Sequence, residues 1–237
     1  MNIDLNCDLG EGAAHDADLM PLISSANIAC GAHAGDEATM RRTLALARQH
    51  GVAAGAHPGY RDRANFGRIE LALAPADGLQ LVTEQLRTLQ RVAGEMGIPL
   101  AHVKPHGALY NQAARDPVLA DAIATAVQSV DPHLILFGLA GSALLRAGQT
   151  RGLRTAAEIF ADRRYQPDGS LIPRTHPDAL ISDPAEACAQ ALRLLRAGRA
   201  DTLCIHGDGP GAVVFARTLR AALQAAGIQI TPCTGRL

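Results

Sequence analysis

Asp8 and Glu11, His33 and Asp36, His57, Lys104 and His106, Glu158 and Asp162, and His206 and Asp208 all fall at or just after short apolar runs. Asp, His and His at strand ends can hold a divalent metal, with water completing the shell. Paired carboxylates in a low-dielectric cleft divide into an acid and a base. A lysine ammonium stabilises negative charge that develops on an oxygen. Lys104 stands out because it is the only lysine in 237 residues, arginine being the default cation elsewhere. Its compact, tunable amine is not interchangeable with a guanidinium. The turn His206-Gly-Asp-Gly-Pro-Gly211 is expected to offer backbone N–H groups to a carboxylate or phosphate. Cys7, Cys30 and Cys204 are candidate thiol nucleophiles, although small thiols at such positions usually pack. No GxxxxGK[ST] loop and no GxSxG elbow is present.

These residues need strands to deliver them and helices to return the chain. Strands are expected over Asn2–Leu5, Ala26–Cys30, Val52–Ala56, Leu100–Lys104, Leu134–Gly138, Arg154–Ala157 and Thr202–Ile205, with one more short strand at Ile228–Thr231. Asn6 to Glu11 then reads as a polar turn. Asp36 reads as a helix N-cap, Asp116-Pro117 as N-cap and N1, and Asp183-Pro-Ala-Glu186 as a capping box. Leu79, Val82, Leu86, Leu89, Ala93 and Met96 keep helical spacing up to Gly97. Two long polar loops, His57 to Arg68 and the stretch after Glu158, are expected to be functional. Polar residues follow strands and do not precede them, which favours a parallel (β/α) barrel of about seven strands, one domain over 1–237. An open doubly wound sheet is the runner-up, but no GxGxxG follows the first strand.

A formal net charge of −1 and the absence of Trp give no case for a nucleic-acid or acidic-membrane surface. No apolar run approaches the roughly 20 residues that span a bilayer. Five scattered cysteines without CxxC spacing read as the reduced thiols of a cytoplasmic protein.

Taken together, the chain resembles the 5-oxoprolinase A-subunit family, also called the LamB/YcsF family. The resemblance rests on Asn6-Cys-Asp-Leu-Gly-Glu11, Ser25 to Asp36, and Gly55-Ala-His-Pro-Gly-Tyr60 with Asp62 and Phe66-Gly-Arg68. It rests further on Val103-Lys-Pro-His-Gly-Ala-Leu-Tyr-Asn111, Glu158 with Asp162-Arg163 and Tyr165, and His206-Gly-Asp208. It implies an irregular TIM-like barrel related to polysaccharide deacetylases. It also implies cleavage of 5-oxo-L-proline to L-glutamate, with ATP as co-substrate and subunits B and C as partners. On these motifs Asp8, Glu11, Lys104, His106, Glu158 and Asp208 are the catalytic candidates. Asn27, His33, His57, Tyr60, Tyr110, Asn111, Arg163 and His206 are the substrate-binding candidates.

A five-membered lactam resists direct hydrolysis. Phosphorylation of its oxygen would make the ring carbon electrophilic, and one of Asp8, Glu11 or Glu158 would activate water. Lys104 with His106 would hold the lactam oxygen or the phosphate. Two rivals stand beside this reading. One is a stand-alone metal-dependent amidohydrolase or deacetylase, with Asp8, His33 and His57 as ligands of a divalent metal. The other is a non-catalytic component that only binds the substrate and presents it to its partners.

Overall fold

A computed structural model describes residues 1–174, 176–198, 200–209 and 211–235. Pro210, inside the expected His206–Gly211 turn, lies outside the described residues. The strands are β1 (Asn2–Leu9), β2 (Ser25–Ala29), β3 (Ala53–His57), β4 (Leu100–Val103), β5 (Ile135–Leu139), β6 (Thr155–Phe160), β7 (Thr202–His206) and β8 (Gln229–Ile230). Parallel pairing runs from β2 through β7 to β1, and β1 pairs again with β2. That closure makes a seven-stranded parallel barrel and removes the open-sheet alternative. β8 adds only to the start of β1, through Asn2 and Ile3.

The returning helices are α1 (Asp16–Leu19), α2 (Glu37–His50), α3 (Pro75–Glu95), α4 (Gly107–Arg115), α5 (Pro117–Val130), α6 (Ala143–Thr150), α7 (Pro184–Arg196) and α8 (Ala212–Ala225). Asp36, Asp116, Ser142 and Asp183 each accept backbone N–H groups of the first turn, as N-caps should. Glu186 does not complete a capping box, because its carboxylate pairs with Arg164. The α3 stripe is buried at Leu81, Val82, Leu86, Leu89, Val92 and Ala93. No helix among the described residues is long and apolar enough to cross a membrane.

Three elements depart from expectation; one is β6, which runs past Ala157 to Phe160 and makes Glu158 a strand residue. β1 does not stop at Leu5; it runs to Leu9, so Asn6, Cys7 and Asp8 are strand residues. α4 occupies a stretch for which the sequence named no element: Gly107, with φ 54°, lets the chain turn directly into a helix that buries Leu109, Tyr110 and Ala113.

β1 also shows how the barrel is filled. Ile3, Leu5, Cys7 and Leu9 belong to the apolar layer between strands and helices. Asp4, Asn6 and Asp8 alternate with them and point into the barrel, where their partners are polar side chains of other strands. At the base, Asp4 accepts from Ser24 at 2.7 Å, Ser25 at 2.6 Å and Thr202 at 2.5 Å. One tier up, Asn6 donates to Glu158 Oε1 at 2.9 Å, and Asn27 donates to Asn6 Oδ1 at 2.7 Å. The His102 imidazole lies between Asn27 and the Phe137 ring. Burial pushes the His102 pKa down to about 3, so this ring is neutral.

His102 fits because β3 offers Gly55 opposite it. A Cβ there would stand 2.2 Å from His102 Nε2. Gly55→Ala is therefore expected to cost about 1–3 kcal/mol of stability through overpacking. A urea denaturation midpoint equal to that of the wild type would contradict the close fit.

Candidate active site

A cleft of about 490 Å³ opens at the carboxyl ends of the strands. Its floor comes from strand ends, and its walls from the loops after β3, β4, β6 and β7. Asp8, Glu11, His57, Lys104, His106, His206 and Asp208 all line it, with Tyr110, Asn111 and Arg163. The two long loops supply Arg68, Glu70, Leu171, Pro173, Arg174 and Leu180. Asn27, His33 and Glu158 sit beneath this lining, fully or almost fully buried. Tyr60 lies elsewhere: its hydroxyl donates to Gln112 at 2.6 Å, and it borders a separate shallow depression. Asp36 is an exposed helix cap that takes no part in the cleft.

Lys104 is the centre of the floor. Its ammonium donates to Asp8 Oδ1 at 2.8 Å, lies 3.2 Å from Glu158 Oε1, and contacts Cys204 Sγ at 3.0 Å and Asn6 Oδ1 at 3.3 Å. Three N–H bonds thus face four acceptors, and the thiol is the weakest of them. Burial works against both charges, yet Asp8 and its neighbours hold the Lys104 pKa well above its usual value. Burial likewise opposes the Asp8 carboxylate, and His57 and Lys104 outweigh it and hold Asp8 ionised. Asp8 is thereby divided. Oδ1 serves Lys104 and Asn27, while Oδ2 stands 3.3 Å from His57 Nε2.

Three imidazoles and Glu11 form the adjoining corner. His33 and His106 stack with ring centroids 3.8 Å apart. Glu11 Oε1 lies 3.2 Å from both His33 Nε2 and His106 Nδ1. Burial pushes the His33 pKa down to about 4 and lowers that of His106 as well. Of the donor set expected from sequence, Asp8 Oδ2 stands 3.3 Å from His57 Nε2, while His33 turns instead to Glu11. The donor atoms that converge belong to Glu11, His33, His57 and His106, with Asp8, Cys204 and His206 as a second group.

Part of the wall is cationic. Arg163 is nearly buried and donates to the Ile172 carbonyl at 2.6 Å. Its Nε is buried without a hydrogen-bond partner, and the group has no ion pair among the described residues. Burial and the neighbouring Arg174 push the Arg163 pKa down to about 10. Asp208 sits at the rim, paired with Arg68 at 2.6 Å and Arg174 at 3.6 Å, apart from the buried Asp8–Lys104 pair. His206 gives Nδ1–H to Asp162 Oδ2 at 2.7 Å, and its backbone N–H goes to the same oxygen. The N–H of Ala212 is taken by the Gly209 carbonyl. The turn after β7 therefore presents fewer free N–H groups than the sequence suggests.

The family model described as the LamB/YcsF family matches residues 3–237. The chain belongs to the LamB/YcsF family. The A subunit of 5-oxoprolinase from Neisseria meningitidis serogroup C (strain 053442) is 51% identical over 241 residues, covering 97% of this chain and 98% of that protein. The crystal structure of a lactam utilization protein from Thermus thermophilus superposes with a TM-score of 0.90 at 43% identity, over 98% of this chain and 99% of the other. The catalytic domain of a peptidoglycan N-acetylglucosamine deacetylase from Eubacterium rectale gives a TM-score of 0.57 at 12% identity, over 98% and 87%, a likeness of fold alone.

Within this LamB/YcsF barrel, sequence reasoning passed over Asn6 and Cys204 as partners of Lys104, and over His102 below them. The signal was there: Asp4, Asn6 and Asp8 are spaced by two, as are Thr202, Cys204 and His206. The thiols of Cys7, Cys30 and Cys204 are all buried, and burial pushes each thiol up, Cys30 to about 12. None is placed as a thiolate nucleophile. Iodoacetamide is expected to leave the native protein unlabelled at neutral pH and to label it once unfolded in guanidinium. Rapid labelling of Cys204 in the native state would contradict this.

Proposed function

We propose that this chain is the A subunit of an ATP-dependent 5-oxoprolinase, which opens the lactam of 5-oxo-L-proline to L-glutamate as ATP goes to ADP and phosphate. The relative from Neisseria meningitidis supports the substrate and the subunit role by its name. The observation that carries the reading is the buried ammonium–carboxylate floor, Lys104 with Asp8 and Glu158, facing a wall with an unpaired buried arginine. 5-Oxoproline has two features to match: an amide carbonyl and a carboxylate.

Arg163 takes the substrate carboxylate, which completes its unmet Nε–H and relieves a desolvated cation. The lactam oxygen faces Lys104 and displaces the Cys204 thiol from the ammonium. ATP supplies the phosphoryl group that turns that oxygen into a leaving-group precursor and the ring carbon into an electrophile. Asp8 Oδ2, free of Lys104, orients the attacking water and takes its proton; the ring C–N bond then breaks with the nitrogen leaving as the protonated amine, and a second water releases phosphate from the acyl phosphate so formed. His206, held by Asp162 through Nδ1, stands beside Asp8 on the neighbouring strand, and its Nε2 can accept from the ring N–H. ATP enters as co-substrate in the assembled complex with subunits B and C.

Arg163→Ala is expected to weaken 5-oxoproline binding about 10–100-fold, the worth of a charge-assisted hydrogen bond in a dry site. Calorimetry on the isolated chain checks this. Equal affinity in wild type and variant would remove Arg163 from recognition. No binding to the wild-type chain, in the presence or absence of its partners, would remove 5-oxoproline as the ligand.

The Glu11–His33–His57–His106 corner favours a second reading, a metal-dependent amide hydrolase that needs no ATP. Turnover by the chain alone, abolished by a chelator and independent of ATP, would establish it in place of the first.

A further inference from the structure

Three guanidiniums line the cleft, those of Arg68, Arg163 and Arg174, and they have fewer counter-charges than they need. Arg163 is buried, with its Nε lacking a hydrogen-bond partner. Arg174 stands 3.6 Å from Asp208 Oδ2, past hydrogen-bond distance, and makes no hydrogen bond among the described residues although its side chain is only 23% exposed. Arg68 donates to the same Asp208 oxygen at 2.6 Å. The charge of Arg174 reaches Arg163 and helps to lower its pKa. Of the carboxylates nearby, Asp162 gives Oδ2 to His206, and Asp208 offers one oxygen to Arg68 and Arg174 together. Like charges crowded on one side of a cleft repel one another until an anion enters.

Arg68 is supported from behind. The Ala108 N–H donates to the Gly67 carbonyl at 3.0 Å, and a Cβ on Gly107 would stand 2.7 Å from that same oxygen. The Arg68 guanidinium lies over the Phe66 ring, 4.8 Å from its centroid. The loop after β3 therefore presents one placed cation and the loop after β6 a second, with a carboxylate from the turn after β7 between them. One carboxylate oxygen cannot satisfy two guanidinium forks. A phosphate group can, because it brings more negative charge and at least three acceptor oxygens. An ion pair as exposed as Arg68–Asp208 contributes little, so its exchange for a phosphate costs little.

We propose that Arg68 and Arg174 form a phosphate seat at the rim of the cleft, with Asp208 as the internal anion that an arriving phosphate displaces. The ligand class is a terminal phosphate, of a nucleotide or of inorganic phosphate. Its source in ATP rests on the lactam reading above; the seat itself does not, because anion binding is read without lactam and without turnover. Arg163, the most buried of the three, keeps the substrate carboxylate, so the cleft holds two anions side by side.

The test is calorimetry on the full chain at low ionic strength, with inorganic phosphate as the probe and ATP in a second arm. Saturable phosphate binding is expected; tighter binding of ATP names the nucleotide as the source, and equal affinity names free phosphate. Arg68→Ala and Arg174→Ala, shown to be folded by circular dichroism, are each expected to weaken phosphate binding about 10-fold. Asp208→Asn is expected to tighten it about 2–5-fold, because the competing anion is gone. A purely structural role for Asp208 predicts the opposite sign. Arg91→Ala, which removes an exposed cation on α3, is expected to leave phosphate binding as it was. Weaker or unchanged binding in Asp208→Asn, or wild-type affinity in Arg174→Ala, would overturn the proposal. So would the absence of phosphate binding in both the wild type and Asp208→Asn. Phosphate binding with this pattern, in a chain that yields no glutamate in any mixture of subunits, would remove the lactam reading and keep the seat.

Discussion

Lys104→Met in the assembled enzyme is expected to lower kcat about 10²–10³-fold, the usual loss when a preorganised donor to a developing oxyanion is removed. Methionine keeps most of the volume and deletes the charge. The same change leaves Asp8 and Glu158 facing each other across a dry floor, since Lys104 lies 2.8 Å from one and 3.2 Å from the other. Breaking a buried pair from one side typically costs about 3–5 kcal/mol, so the variant is also expected to unfold at lower urea. Stability and catalysis separate in a double variant. Adding Asp8→Asn removes one of the two orphaned carboxylates and their mutual repulsion, so Lys104→Met/Asp8→Asn is expected to regain stability over the single variant while staying inactive. Steady-state kinetics and urea melts on the set decide the matter. Wild-type turnover in a folded Lys104→Met complex would end the role given to Lys104.

Asp8→Asn alone is expected to lose about 10²–10⁴-fold in kcat, the range for loss of a positioned base. KM for 5-oxoproline is expected to change little, because the substrate's carboxylate is assigned to Arg163. The amide matches the carboxylate in shape, so the hydrogen bond from Asn27 at 2.8 Å has an acceptor either way. An effect confined to KM, with kcat intact, would make Asp8 a binding residue and shift the base to Glu11 or Glu158.

The barrel was legible in the sequence because its signals are local: apolar runs, helix caps at Asp36, Asp116 and Asp183, and the apolar stripe of α3. The cleft was legible for the same reason, since residues after parallel strands gather at one end whatever the details. What was not legible is the inside of the barrel. A strand that is apolar outside and polar inside alternates, and Asn6 and Asp8 read as part of a turn after Leu5 when an apolar run was the template. The choice of partner was also hidden. Asp8 could reach Lys104 or a metal corner, and only closure of the barrel puts Lys104 2.8 Å away and sends His33 to Glu11. Tyr60 shows the converse: it follows β3 closely, yet its side chain packs outward and meets Gln112 of α4.

The central claim is lactam opening coupled to ATP by a complex that contains this chain. Its most direct test is glutamate released from 5-oxo-L-proline, measured with this chain, subunits B and C and ATP, and again with each component left out. The account predicts glutamate and ADP in equal amounts from the full mixture, and none when this chain or ATP is omitted. Glutamate formed without ATP, or formed equally well without this chain, would contradict it.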